Sequence, residues 1–160
     1  MFRTFAHRPE SFETVIAHMD AVLKTGTLST ALKELVIVRT SQLNRTPYCL
    51  ESHMVLARQL GWSNQQIDSL DLSSASALFT DSERAAIHLA EVMTLNPHND
   101  TEQEFTYLRG FFSEGEVVEL MAAIGLFNYF DRFNDLLKME PTRPASAEEL
   151  VEAGLLSATK

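Results

Sequence analysis

The sequence predicts an all-α fold, a single-domain helical bundle of about six to eight helices, and three observations carry that prediction. β signals are weak: no Asn-Gly or Asp-Gly pair occurs, and no stretch sustains a two-residue alternation of apolar and polar side chains. Helix-start signatures recur instead. Ser63-x-x-Gln66, Thr80-x-x-Glu83, Ser113-x-x-Glu116 and Ser146-x-x-Glu149 all fit the capping box, in which two side chains satisfy the free N–H groups of a first turn. Between these starts, apolar residues return at intervals of three and four.

The elements follow in order. Residues 11–24 form a first amphipathic helix with Phe12, Val15, Ile16, Met19, Val22 and Leu23 on one face, ended by Gly26. A second covers 29–43, and its run Leu35-Val36-Ile37-Val38 is apolar all round, as a buried helix would be. A third runs 47–61, from Pro47 at a first helical position to Gly61 as the residue after the end. A short fourth spans 63–70. The fifth, 81–95, stops before Asn96-Pro97. A sixth covers 101–112 and a long seventh 114–138. Pro141 and Pro144 close the compact part, a domain of residues 1–145, and leave 146–160 as a short helix or tail.

Composition narrows the function classes. A chain of 160 residues supports one domain with a real core, and 45% hydrophobic with 22% charged residues argues against disorder. The net charge of −9 disfavours a nucleic-acid partner, which needs cations against phosphate. That charge is uneven: residues 1–60 carry seven Lys/Arg and five Asp/Glu, residues 61–160 six and seventeen. The first residues lack the apolar core of a signal peptide. The longest apolar stretch, 117–130, is broken by Glu119 and Asn128 and is too short to span a bilayer. A soluble, cytoplasmic protein with no membrane partner is expected. Cys49 is the single cysteine, which excludes an intramolecular disulfide and a cysteine-rich zinc site. No metal and no cofactor are expected.

The chemistry concentrates in 34–53. Thr46 and Pro47 fit an N-cap and first helical residue, which makes Cys49 the third residue of the helix. There the free N–H groups and the helix dipole favour thiolate, Arg45 adds to them, and the Thr46 hydroxyl can donate to sulfur. His53, four residues on, shares the face of Cys49 and can accept or deliver a proton. Glu34 is embedded beside the apolar run, where a carboxylate needs a partner or a role. Blander readings stand beside these: a lone cysteine is more often a small buried hydrophobe, and Glu34 alone can face solvent. His7, His18, His88 and His98 lack ligand spacing.

Taken together, Glu34, Cys49, His53 and Gly61 follow a pattern Glu-x11-Thr-x2-Cys-x3-His with glycine eight residues later, and Asp81–Ala86 and the stretch from Glu116 to Asp135 add to it. This resembles the carboxymuconolactone decarboxylase / alkylhydroperoxidase D-like superfamily over about residues 19–139. The resemblance implies an attacking Cys49 with Glu34 and His53 as proton relay. Thr46 stands where peroxidase members of that superfamily carry their first, resolving cysteine. Their disulfide cycle cannot run within one chain here, so an external thiol or protein reductant is implied.

Three functions follow. The first is a one-cysteine, thiol-dependent antioxidant peroxidase that reduces hydroperoxides. The second is a lyase of the decarboxylase type acting on a lactone or keto acid through Glu34 and His53, with Arg39, Arg45 and Arg132 as the available cations. The third is a non-catalytic oligomeric ligand-binding protein. Thr46, Tyr48, Asn128 and Arg132 are candidate pocket residues, the last two equally suited to tying helices together. The apolar excess of the long seventh helix predicts a homo-oligomer, and the resemblance implies a dimer, trimer or hexamer.

Overall fold

The structure, a computed structural model, describes residues 2–5, 7–71, 77–95, 101–141 and 146–152. Among the described residues the chain is helical throughout and holds no strand. The helices are α1 (Phe2–Phe5), α2 (Pro9–Lys24), α3 (Thr30–Asn44), α4 (Pro47–Gln59), α5 (Asn64–Asp68), α6 (Asp81–Leu95), α7 (Thr101–Leu108), α8 (Glu114–Leu136) and α9 (Ala147–Glu152). None is long and apolar enough to cross a membrane. Each of the four sequence-predicted capping boxes is made, with both reciprocal bonds present at Ser63, Thr80, Ser113 and Ser146.

α3 is the axis of the molecule. Every residue from Lys33 to Ser41 is buried, because α4, α6 and α8 pack around it. Val36 and Ile37 join a core with Leu89 of α6 and Leu120, Ile124 and Phe127 of α8, while Leu35 and Val38 join a second core with Ala57, Ile67 and Ile87. A helix apolar on all sides has to be enclosed in this way. On α8 the buried stripe runs Val117, Leu120, Ile124, Phe127, Asp131 and Asn134, at helical spacing. Its last two members are polar.

Two turns hold this arrangement. Between α2 and α3, Gly26 adopts φ +98, and a Cβ there would lie 2.1 Å from the Glu119 carboxylate. Glu119 accepts hydrogen bonds from the Thr27 and Leu28 N–H groups, at 2.8 and 3.2 Å. Buried Lys33 completes the clamp, donating to the Val22 and Thr25 carbonyls and lying 3.3 Å from Glu119. Between α3 and α4, Arg45 takes the left-handed conformation at φ 57, and the Thr46 N–H closes onto the Ser41 carbonyl.

Boundaries differ from the sequence expectation at a few ends. α1 and the first turn of α2 extend the amino-terminal helices, with Pro9 at the start of α2. α7 ends at Leu108 rather than 112, and a turn through Gly110 leads to α8. α4 ends before Gly61, which takes φ +105, and α8 ends at Leu136, with Lys138 at positive φ. Asn96, Pro97, His98 and Pro144 lie outside the described residues.

Candidate active site

The tight α3–α4 turn folds α4 back along α3 and brings Glu34 against His53. The His53 Nδ1–H donates to Glu34 Oε2 at 2.6 Å, the short distance of a charge-assisted bond. Glu34 is fully buried, and its Oε1 is an acceptor with no partner among the described residues. The His53 ring stands edge-on to Phe127, centroids 4.5 Å apart, and its side chain remains 18% exposed. With Nδ1 committed, Nε2 is the nitrogen left for proton exchange. Burial opposes a positive imidazole, but the Glu34 carboxylate, its hydrogen bond and the more distant Asp131 charge outweigh it and raise the histidine above its ordinary value.

Cys49 lies on the same face of α4, one turn earlier, and is buried. Its sulfur accepts a hydrogen bond from Asn134 Nδ2 at 3.2 Å. The sequence expectation of a thiolate is corrected here. Burial, followed by the charge and hydrogen bonding of Asp131, pushes the thiol well above its ordinary value, and the Asn134 N–H offsets this only in part. A helix N-terminus contributes about 0.3–1 kcal/mol, too little against desolvation beside a carboxylate. The Thr46 hydroxyl does not reach sulfur or cap the helix: it donates to the Asp131 carbonyl at 3.4 Å. Among the described residues no hydrogen bond joins His53 to Cys49.

Asp131 is the residue that sequence reasoning missed. It is fully buried on α8, accepting at Oδ1 from Ser41 Oγ (3.2 Å) and at Oδ2 from Asn44 Nδ2 (3.0 Å). Burial raises its carboxyl above the ordinary range, against the pull of Asn44, Cys49 and Ser41. The signal lay in the stripe on α8, which reaches Asp131 four residues after Phe127 and Asn134 three later, so that both had to face inward.

The remaining candidates have structural employment. Asn128 donates to Thr94 and accepts from Asn44 and from Arg132, at 3.0 and 2.8 Å. These contacts tie α8 to α6 and α3 and link Arg132, through Asn128 and Asn44, to Asp131. Arg39 is bound to Glu91 of α6 through two N–H groups, at 2.9 and 2.6 Å. Arg45 is the left-handed cap, and Tyr48 packs half-buried against the larger core. Among the described residues no group of three or more His, Cys, Asp and Glu side chains is placed to hold a metal ion.

A sequence model of the Carboxymuconolactone decarboxylase family matches residues 9–92, over half of the chain and all of α2 to α5. The chain belongs to the carboxymuconolactone decarboxylase family. The chain is also similar to the following proteins and solved structures. The uncharacterized protein YdfG of Bacillus subtilis is 27% identical over 127 residues, covering 79% of this chain and 86% of its own. A protein of unknown function from Agrobacterium tumefaciens, named as a candidate AhpD antioxidant-defence protein, superposes with TM-score 0.79 at 26% identity, covering 88% of this chain and 96% of that one. The AhpD core of an uncharacterized peroxidase-related protein from Ralstonia eutropha gives TM-score 0.77 at 26% identity, over 87% and 74% of the two chains. The segment matched to the carboxymuconolactone decarboxylase family contains Glu34, Cys49 and His53, whereas Asp131 and Asn134 lie beyond it on α8.

Proposed function

We propose that this family member is a one-cysteine, thiol-dependent peroxidase that reduces hydroperoxides, with Cys49 attacking and Glu34 and His53 as its proton relay. The observation that carries the reading is the 2.6 Å bond from His53 to buried Glu34, one helical turn from the only thiol of the chain. Glu34 favours the charged ring, which then offers an N–H to a bound peroxide and stabilises negative charge on the oxygen that leaves. Sulfur attacks the distal oxygen and the S–O bond forms as O–O breaks; His53 gives its Nε2 proton to the departing alkoxide, which leaves as the alcohol, the proton released from the thiol returns to His53, and Cys49 becomes a sulfenic acid. An external thiol or protein reductant then attacks that sulfur and releases water. A second thiol equivalent returns Cys49 to the thiol and carries away a disulfide.

The charge of the site supports a neutral hydroperoxide over the lactone or keto-acid anion of the lyase reading. Glu34 and Asp131 are carboxylates at the site, and Arg39 and Arg132 are already bonded to Glu91 and Asn128. A compartment rich in reduced thiols, such as the cytoplasm, suits the cycle. Exposed Val118, Met121 and Tyr129 along one side of α8 support a homo-oligomer.

Exposure to tert-butyl hydroperoxide with dimedone present tests the reading. The expected result is a dimedone adduct on Cys49 by mass spectrometry, none in Cys49→Ser, and adduct formation slowed on the order of 10²-fold in Glu34→Gln and His53→Gln. A wild-type protein that forms no adduct ends the peroxidase reading.

A further inference from the structure

Among the described residues two buried side-chain atoms lack a hydrogen-bond partner, Glu34 Oε1 and Asn134 Oδ1, and both belong to residues of the site. Folded chains pair nearly all such atoms, so an unpaired acceptor beside a nucleophile points to a group that arrives during the reaction. Glu34 already serves His53 through its other oxygen. Asn134 is the one that the Glu34–His53 relay leaves unused. The residue is 1% exposed, and its Nδ2 donates to the Cys49 sulfur at 3.2 Å. Oδ1 shares a carbon with Nδ2, which puts the unpaired acceptor within one amide's width of the nitrogen that meets the sulfur. The backbone beneath is pinned by the end of α8: the Met139 N–H donates to the Asn134 carbonyl at 2.9 Å, with Lys138 in the left-handed region.

A tie between α8 and α4 does not account for this arrangement. Sulfur is a weak acceptor, and a buried amide with its oxygen unpaired costs more than an apolar side chain of the same shape. Resting on the peroxidase reading, we propose that Asn134 is a further catalytic residue of this site, whose Nδ2–H stabilises negative charge on the Cys49 sulfur during attack and whose Oδ1 accepts the O–H of the sulfenic acid that attack produces. The proton path stays with Glu34 and His53, and Asn134 neither takes nor gives a proton. Sulfur is oxidised as S–O forms and O–O breaks, the hydroperoxide is reduced to the alcohol, and the amide changes only what it hydrogen-bonds. A donor on sulfur favours the anionic form that burial otherwise opposes. A neutral acceptor on the sulfenic O–H favours the acid over the sulfenate anion, the form that a second peroxide oxidises to sulfinic acid. Asn134 thus speeds the first oxidation and slows the second, which suits a chain whose single thiol waits for a reductant from outside.

Iodoacetamide and tert-butyl hydroperoxide test the two actions in Asn134→Leu, which keeps the side chain's approximate volume and removes the amide. At one mildly alkaline pH, alkylation of Cys49 is expected to slow on the order of tenfold, the size of a hydrogen bond to a charged atom. Loss of a merely structural tie predicts the opposite, because a loosened α8 uncovers the sulfur and quickens alkylation. Under excess hydroperoxide, the rate of sulfinic acid formation relative to that of sulfenic acid is expected to rise several-fold, read by mass spectrometry with and without dimedone.

An alkylation rate that is unchanged or faster overturns the proposal, as does an unchanged ratio of sulfinic to sulfenic acid. If the hydroperoxide does not oxidise wild type at all, the peroxidase reading fails and the sulfenic role of Asn134 with it, while alkylation still decides whether the amide supports charge on sulfur. Should Asn134→Leu not fold, NMR of wild type takes its place. The Asn134 side-chain N–H signals are expected to move when Cys49 is oxidised to the sulfenic acid, and signals that stay in place overturn the proposal.

Discussion

At His53 two opposing effects meet. Burial disfavours the imidazolium, and the carboxylate of Glu34 at 2.6 Å favours it more strongly. The folded-state value is therefore raised above the roughly 6.5 of an unfolded histidine. The pair stabilises the fold fully at pH below that unfolded value, and the contribution is lost as pH rises through the folded one. In urea titrations across mildly acidic to mildly alkaline pH, the stability gap between wild type and His53→Gln is expected to be widest on the acid side and to close on the alkaline side. A gap that widens with pH would show that Glu34 does not protonate the ring. Glu34, Cys49 and His53 were legible in the sequence because all three depend on local rules: an i, i+4 pair, a proline-started helix, and a short turn between consecutive helices. The electrostatics of Cys49 were not legible. They are set first by burial and then by Asp131, on a helix remote in sequence whose register against α4 depends on the whole core.

At the scale of elements, α8 combines two roles along its length. Near its start, Glu119 reaches over Gly26 to hold the α2–α3 turn, together with Lys33. Gly26→Ala places a methyl group into that carboxylate at a backbone φ which only glycine adopts without strain. Left-handed strain and the loss of a hydrogen-bonded carboxylate together give an expected destabilisation of roughly 2–4 kcal/mol, read by chemical denaturation. Glu119→Gln, which keeps the shape and one acceptor, is expected to cost less. Helix positions were readable because capping boxes and apolar spacing are written in contiguous residues. The clamp was not, since nothing local to Lys33 says that carbonyls at the end of the preceding helix will receive it.

For the whole molecule, the all-round burial of α3 sets the arrangement: its neighbours pack two apolar cores against one shared axis. The apolar run of residues 35–38 announced that axis in the sequence. α8 cannot be enclosed as fully. Val118, Met121 and Tyr129 stand exposed on its outer side, with Gly125 between them. The proposed covering for this side is a second copy of the chain. Light scattering is expected to give a mass above that of one 18.0 kDa chain, and Met121→Glu to return it toward that value without loss of helical content. A wild-type monomer at micromolar concentration would refute it.

The stripe on α8 that ends in Asp131 and Asn134 also bears on the thiol. Cys49 and His53 lie together on α4, folded back against Glu34 of α3, within residues 9–92. Asn134, which donates to the sulfur, comes from outside that segment, as does Asp131 beside it on the stripe. Exchange of these two inward-facing positions would leave the hairpin's own contacts in place and change what surrounds the sulfur. The surroundings of the thiol are thus open to change from a helix that the Glu34–His53 pair does not use.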